Sequence, residues 1–355
     1  MGEMKHSSGL DAIRGVAIGL VLIRHLIVEV HHDSLFAKLF VLSACGVDLF
    51  FVLSGFLLGG ILIDNRYKQN YFEVFYARRA LRILPLYLLL VIPICNLIGE
   101  PLFPFLTFSQ NFLWADGRVG NPLTVITWSL AVEEQFYLIL PAIVRYWPTG
   151  RLLHLIVGLI CAAPIARVML NHAYGDTAPA YFLLPARMDG LFLGVLAACL
   201  IRNRQSICWL NEHRRELYVG AMLLTVPLIV MTWLISWQQV SGRSPLMQYL
   251  GYSAAPLLFF VVLLLVVTGR RSVPNVLSPL CWLGLGAYSL YLTHRLCLFL
   301  AIGVVGQYVS AISLASSVLA SLALWLLIEK PFMTFGRERF KYRDRDSDLA
   351  SIRPA

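Results

Sequence analysis

Four ionisable side chains share one apolar stretch near the start of the chain: Asp11, Arg14, His25 and Glu29. An ion at a bilayer centre costs at least about 2.5–3.5 kcal/mol on insertion, so such charges point to function. Arg14 and His25 stand roughly 20° apart around a helix and ~16 Å apart along it. Asp11 and Glu29 fall on the same broad face, so a polar stripe runs from one membrane side toward the other. His25 is the general-base candidate, because imidazole, with an ordinary pKa of about 6.5, takes up a proton near neutral pH. A buried salt-bridge network that only orients the helix is the plainer alternative.

A second group lies in Trp128-Ser129-Leu130-Ala131-Val132-Glu133-Glu134-Gln135-Phe136-Tyr137. Ser129, Glu133 and Tyr137 recur every four residues and share a helix face. Glu133 and Glu134 are ~100° apart, so one of them faces the bundle interior, where it could pair with an arginine or orient a histidine. Arg78, Arg79 and Arg82 precede an apolar run. They either anchor it by the ordinary excess of positive charge on the cytoplasmic side or clamp an anion, since guanidinium forks suit phosphate. Arg187, Asp189, His294 and Arg295 complete the intramembrane charges, with structural ion pairs as an equally good reading. Gly55, Gly59 and Gly60 permit close helix packing and form no phosphate loop. His31-His32-Asp33 has metal-ligand types, but adjacent residues seldom chelate one ion, and the seven cysteines show no C-x-x-C pair. No metal site is expected.

These residues must be positioned by membrane helices. The chain has 355 residues, 58% of them hydrophobic and 14% charged, with a net charge of +9. Soluble proteins carry about 25% charged residues, so a soluble globular enzyme, a disordered protein and a disulfide scaffold are excluded. Ten apolar runs are long enough to cross ~30 Å of hydrocarbon: 10–30, 41–63, 83–99, 123–144, 152–171, 183–201, 217–236, 249–268, 280–306 and 311–328. None alternates as a β-barrel strand would. The fold class expected is all-α, a polytopic membrane helix bundle of about ten transmembrane helices.

The basic residues orient that bundle. With the N-terminus inside, 21 of the 29 Lys and Arg residues fall on cytoplasmic segments, three on outer ones and five within spans. The positive-inside rule then gives both termini in the cytoplasm and a bilayer, rather than nucleic acid, as the partner of the charge. The first run lacks a small-residue cleavage pattern and is read as retained. Residues 1–335 read as one transmembrane domain, and 336–355 as a short basic cytoplasmic tail, disordered or lying against anionic lipid. No soluble domain is expected.

The chain resembles the integral-membrane acyltransferase family three, the O-acyltransferases of cell-surface glycans and related small molecules. Leu10-Asp11-Ala12-Ile13-Arg14-Gly15-Val16-Ala17 followed by His25 is similar to the family's opening signature of arginine, ten residues, histidine. Gly46-Val47-Asp48-Leu49-Phe50-Phe51-Val52-Leu53-Ser54-Gly55-Phe56-Leu57 resembles its second-span motif, and Arg79 with Arg82 its R-x-x-R pair. Trp128 to Tyr137 is similar to W-S-L-x-x-E-x-x-F-Y, with Glu133 at the glutamate. Tyr288-Ser289-Leu290-Tyr291-Leu292-Thr293-His294 and Glu329-Lys330-Pro331-Phe332 also fit. Six motifs in family order cover nearly the whole chain. Arg295 departs from the pattern, which often has an aromatic residue after the late histidine, and this bears on acceptor identity.

The resemblance implies an acyltransferase that transfers groups other than aminoacyl groups. The donor would be acyl-CoA, usually acetyl-CoA, with its phosphates held at the cytoplasmic face by Arg14, Arg79 and Arg82. The acceptor would be a hydroxyl of a cell-surface or lipid-linked glycan, deprotonated by His25, with Glu133 or Asp11 stabilising the imidazolium. Direct transfer and an acyl-histidine intermediate both fit. The site would lie in a bacterial inner (cytoplasmic) membrane. Alternatives are a small-molecule acceptor such as a macrolide, succinyl transfer to a glucan, or a transporter or flippase with no covalent chemistry.

Overall fold

A computed structural model describes residues 8–30, 40–175, 178–234, 247–269, 274–302 and 308–344. Among these, every regular element is helical. The long helices are α1 (Ser8–Leu22), α2 (Gly46–Asp64), α3 (Tyr71–Ile98), α4 (Trp128–Tyr146), α5 (Thr149–Tyr174) and α6 (Leu184–Leu200). There follow α7 (Arg214–Leu234), α8 (Tyr252–Val267), α9 (Ser278–Leu285), α10 (Ala287–Ile302), α11 (Val309–Leu324) and α12 (Lys330–Arg339). In its described part, each of the ten apolar runs falls on one or more of these helices.

By length and composition, six stretches are long and apolar enough to cross a membrane: Leu42–Asp64, Tyr71–Ile98, Gly150–Tyr174, Ala178–Leu200, Met247–Val267 and Val309–Arg339. A seventh forms if α9 and α10, which meet at a 73° bend, count together. α1, fifteen residues long, and α4, whose nineteen residues include Glu133, Glu134 and Arg145, are not among the six.

Burial separates an inner from an outer layer. In the spans formed by α2 and by α6 with its preceding turn, 67% of the apolar window is buried, against 22% in α5 and 17% in the α11 stretch. α5, α7 and α11 turn Ile165, Met169, Met222, Leu223, Leu319 and Leu322 outward. Contiguous apolar faces of this extent suit lipid, not water. The inner layer packs closely through small residues. A Cβ on Gly55 of α2 would stand 1.8 Å from the Leu191 carbonyl oxygen of α6, and one on Gly194 of α6 2.1 Å from that of Val52. α1 meets α9 in the same way: a Cβ on Gly15 would stand 1.9 Å from the Leu280 oxygen, and one on Gly284 2.0 Å from that of Asp11.

Two local features shift residues from their expected places. α3 begins at Tyr71, twelve positions before the apolar run, so Arg78, Arg79 and Arg82 lie inside a continuous helix. Its 28 residues span about 42 Å, which exceeds the ~30 Å hydrocarbon thickness. After Leu22, α1 widens into a π-helical turn, Ile23–Val28, which carries His25. Such turns concentrate at functional sites. Each residue in a π turn advances less than 100°, so His25 lags behind the face that an unbroken α-helix gives it.

The tail differs from its expected disorder in the part described. α12 continues to Arg339, and residues 340–344 lie along the start of α3. The Arg78 Nε donates to the Phe340 oxygen at 2.8 Å, and the Asn70 Nδ2 to the Lys341 oxygen at 2.8 Å. Lys68 forms an ion pair with Asp344. Tyr342 stacks under the Arg78 guanidinium, 5.4 Å from ring centroid to Cζ. Burial raises its phenol above the ordinary value, against the pull of Arg78 and Arg79. Residues 345–355 and the His31-His32-Asp33 cluster lie outside the described residues.

Candidate active site

The polar side chains collect at two levels of the bundle. At one end, Arg14 of α1 binds Asp11 at 2.8 Å and lies within electrostatic reach of Arg82 and Arg79 of α3. Glu133 and Glu134 of α4 face Arg79, and Glu329 faces Arg82 and Arg14. Glu329 closes another π-helical turn, Trp325–Glu329, and accepts a bond of 2.6 Å from Ser289 of α10. Among the described residues no carboxylate closes an ion pair on Arg79 or Arg82. Arg79 instead lies over the Tyr137 ring at 5.5 Å.

Glu133 is held by two hydroxyls. Ser54 of α2 donates to its Oε1 at 2.9 Å and Tyr137, one turn on, to its Oε2 at 2.7 Å. Ser129, on the same face, bonds the Tyr291 hydroxyl at 2.7 Å. Since Tyr291 donates to the Ile126 carbonyl at 2.6 Å, the Ser129 hydroxyl is the donor to Tyr291. The neighbouring Glu134 has a buried oxygen, Oε1, without a hydrogen-bond partner.

The second level is built around His25. Its Nδ1 lies 2.8 Å from Nε2 of His294 on α10, and the two rings meet edge to edge, with centroids 4.9 Å apart and planes 17° from parallel. His294 is fully buried. On the other side of His25, Nε2 lies 3.8 Å from Glu29 Oε1. Glu29 Oε2 binds Arg295 at 2.7 Å, and Arg24 stands 4.0 Å from Oε1. Glu29 is thus a carboxylate shared by two arginines and a histidine.

The predicted site residues divide accordingly. Arg14, Arg79 and Arg82 come together, with Asp11 and Glu133 beside them. His25 stands apart, about 21 Å along the helix from Asp11, and the carboxylate next to it is Glu29. Sequence reasoning placed Glu29 on the polar stripe but gave it no role, and it gave His294 none. The remaining intramembrane charges form structural pairs: Arg187 with Asp48 at 2.6 Å and Arg167 with Asp189 at 3.0 Å, all four nearly or fully buried. Arg187 also lies over the Tyr252 ring at 4.0 Å. No group of three or more His, Cys, Asp or Glu side chains that could hold a metal occurs among the described residues.

Comparison with known proteins adds to this geometry. The family described as "Acyltransferase domain" matches residues 7–330. The chain is 29% identical over 224 residues to the O-acetyltransferase OatA of Staphylococcus aureus, covering 56% of this chain and 35% of that protein. It is 26% identical over 319 residues to the peptidoglycan O-acetyltransferase OatA of Listeria monocytogenes, covering 82% and 49%. It is 24% identical over 389 aligned positions to YrhL of Bacillus subtilis, provisionally named a peptidoglycan O-acetyltransferase, covering 98% and 59%. The chain therefore spans between about a third and three-fifths of the length of these relatives. No solved structure matches it.

Proposed function

The chain belongs to the acyltransferase-domain family, and on that premise we propose that it moves an acyl group, acetyl in this reading, from acyl-CoA to a glycan hydroxyl. One observation carries the proposal. Three guanidiniums gather at one level, two of them without a carboxylate ion pair among the described residues, and a half-buried histidine lies ~16 Å deeper along α1. Like charges held together repel, and an anion between them removes that cost. The phosphates of a CoA thioester supply such an anion, through bidentate contacts to Arg14, Arg79 and Arg82. The arm between phosphates and thioester then covers the depth to His25.

In the topology of ten spans with both termini inside, supported by 21 of 29 basic residues, the arginines face the cytoplasm, where acyl-CoA is made. His25 lies past the midplane, toward the side on which a cell-surface or lipid-linked saccharide would be presented. Two of the relatives carry peptidoglycan in their names, and that polymer or its lipid-linked precursor is the acceptor proposed. The membrane is then the inner (cytoplasmic) membrane of a bacterium.

The chemistry follows from the side chains. The acceptor oxygen attacks the thioester carbonyl carbon, a C–O bond forms and the C–S bond breaks. The hydroxyl proton passes to Nε2 of His25 and from there to the departing CoA sulfur. General-base assistance of this kind contributes about 10²–10⁴-fold. Glu29 beside Nε2 steadies the imidazolium, a role the sequence reading gave to Glu133 or Asp11. Glu133, fixed by Ser54 and Tyr137, instead shapes the donor end with Asp11.

The test is transfer in inverted membrane vesicles supplied with labelled acetyl-CoA, with and without a glycan acceptor. The proposal expects label on the glycan and CoA thiol released only when acceptor is present. Intact acetyl-CoA or acceptor moving across the membrane with no new ester would contradict it and favour transport.

A further inference from the structure

We propose that His294 is a positioning residue that fixes the tautomer and ring orientation of His25, so that the base presents the lone pair of Nε2. The inference rests on the reading of His25 as general base and concerns a residue two hundred and sixty-nine positions away. The His294 Nδ1 lies 2.7 Å from the Tyr291 oxygen and 3.3 Å from the Leu290 oxygen. A carbonyl only accepts, so Nδ1 carries the hydrogen. In the neutral imidazole Nε2 then carries the lone pair, and that atom faces Nδ1 of His25 at 2.8 Å. The hydrogen of this bond must therefore sit on Nδ1 of His25. One proton position dictates the next, and Nε2 of His25 is left bare, on the side of Glu29 and Arg295.

The arrangement has the parts of a relay in which a base is oriented by a third group. Hydrogen-bond partners of the second nitrogen commonly set which nitrogen of a histidine is reactive. Here the partner is a neutral imidazole in place of a carboxylate. The two ring planes lie within 17° of parallel, so the bond runs close to the plane of both rings. His294 needs the packing of α10 on α1 to reach His25.

The experiment is ¹⁵N NMR of histidine-labelled protein in lipid, with the His25 resonances, one of eight histidines, identified by their loss in His25→Gln. His25 is expected as the Nδ1–H tautomer in the native protein, the reverse of the form that predominates for free imidazole side chains in water. In His294→Leu it is expected to revert to Nε2–H. In His294→Gln, whose amide oxygen can still accept from Nδ1, the native tautomer is expected to persist. Kinetically, His294→Leu should lower kcat by at least about tenfold with the donor KM unchanged, and His294→Gln should restore part of that loss. An Nε2–H tautomer in the native protein overturns the inference, as does an unchanged tautomer in His294→Leu. If the leucine variant does not fold, the native and glutamine spectra decide alone. The tautomer is read without turnover, so absence of acyl transfer would refute the proposed function and leave this result standing.

Discussion

The imidazole of His25, in the π turn after α1, meets that of His294 in α10 edge to edge and shares with it a hydrogen bond of 2.8 Å. Two helices from opposite ends of the chain thus meet at one pair of rings. The unoccupied side of the His25 ring faces a carboxylate, Glu29, already bound by Arg295. A proton taken up at Nε2 arrives next to a negative charge and opposite a hydrogen-bond acceptor, which is what a general base requires.

Arg79 and Arg82 are expected to act on the donor. A hydrogen bond to a charged group is worth about 1.5–3 kcal/mol, and 1.4 kcal/mol is tenfold. Arg79→Gln and Arg82→Gln should each raise the KM for acetyl-CoA by ~10–100-fold with a smaller change in kcat. Arg78→Gln, which loses contacts to Phe340 and Tyr342, should leave that KM near its native value. Donor titrations in membranes of equal expression measure all three. Equal KM values throughout would remove the arginines from the donor site.

The close approach of α2 and α6 predicts a contrast between two glycines. Gly55→Ala drives a methyl to within 1.8 Å of the Leu191 oxygen, and overpacking costs about 1–3 kcal/mol. Thermal unfolding in detergent should show a lower Tm. Gly158→Ala in α5 meets nothing within 4 Å and gains helix propensity of up to ~1 kcal/mol, so its Tm should hold or rise. A Gly55→Ala Tm equal to the native value would mean that α2 and α6 lie further apart.

Orientation can be read from one thiol. Cys208 is exposed on the helix Arg204–Glu212, in a connection that is cytoplasmic when both termini are inside. With the other six cysteines replaced, a membrane-impermeant maleimide should label Cys208 in inverted vesicles and not in intact spheroplasts. Labelling from the outside would reverse the topology and put the arginine cluster on the wrong side for acyl-CoA.

Much of the fold is legible in the sequence because membrane spans announce themselves by length and hydropathy. The described parts of all ten apolar runs fall on helices, and Asp11 and Arg14, three positions apart, pair as their spacing allows. The start of α3 is not legible from hydropathy, since Arg78, Arg79 and Arg82 are good helix formers that a hydropathy window nonetheless excludes. Nor is the break at Gly286, which lies inside one continuous apolar run. The π turn at Ile23–Val28 leaves no mark in residue types, because it depends on what packs against it. The partner of His25 was hidden for the same reason. Periodicity relates residues on one helix, and His294 reaches His25 only through the packing of α10 on α1.

The central claim is that His25 accepts the acceptor's proton. Its most direct test is the initial rate of label transfer from acetyl-CoA to glycan by His25→Ala in membranes matched for expression and Tm. The account predicts a rate lower by ~10²–10⁴-fold, with acetyl-CoA binding preserved at the arginine cluster. A native rate in His25→Ala would contradict it and assign the proton transfer to another residue.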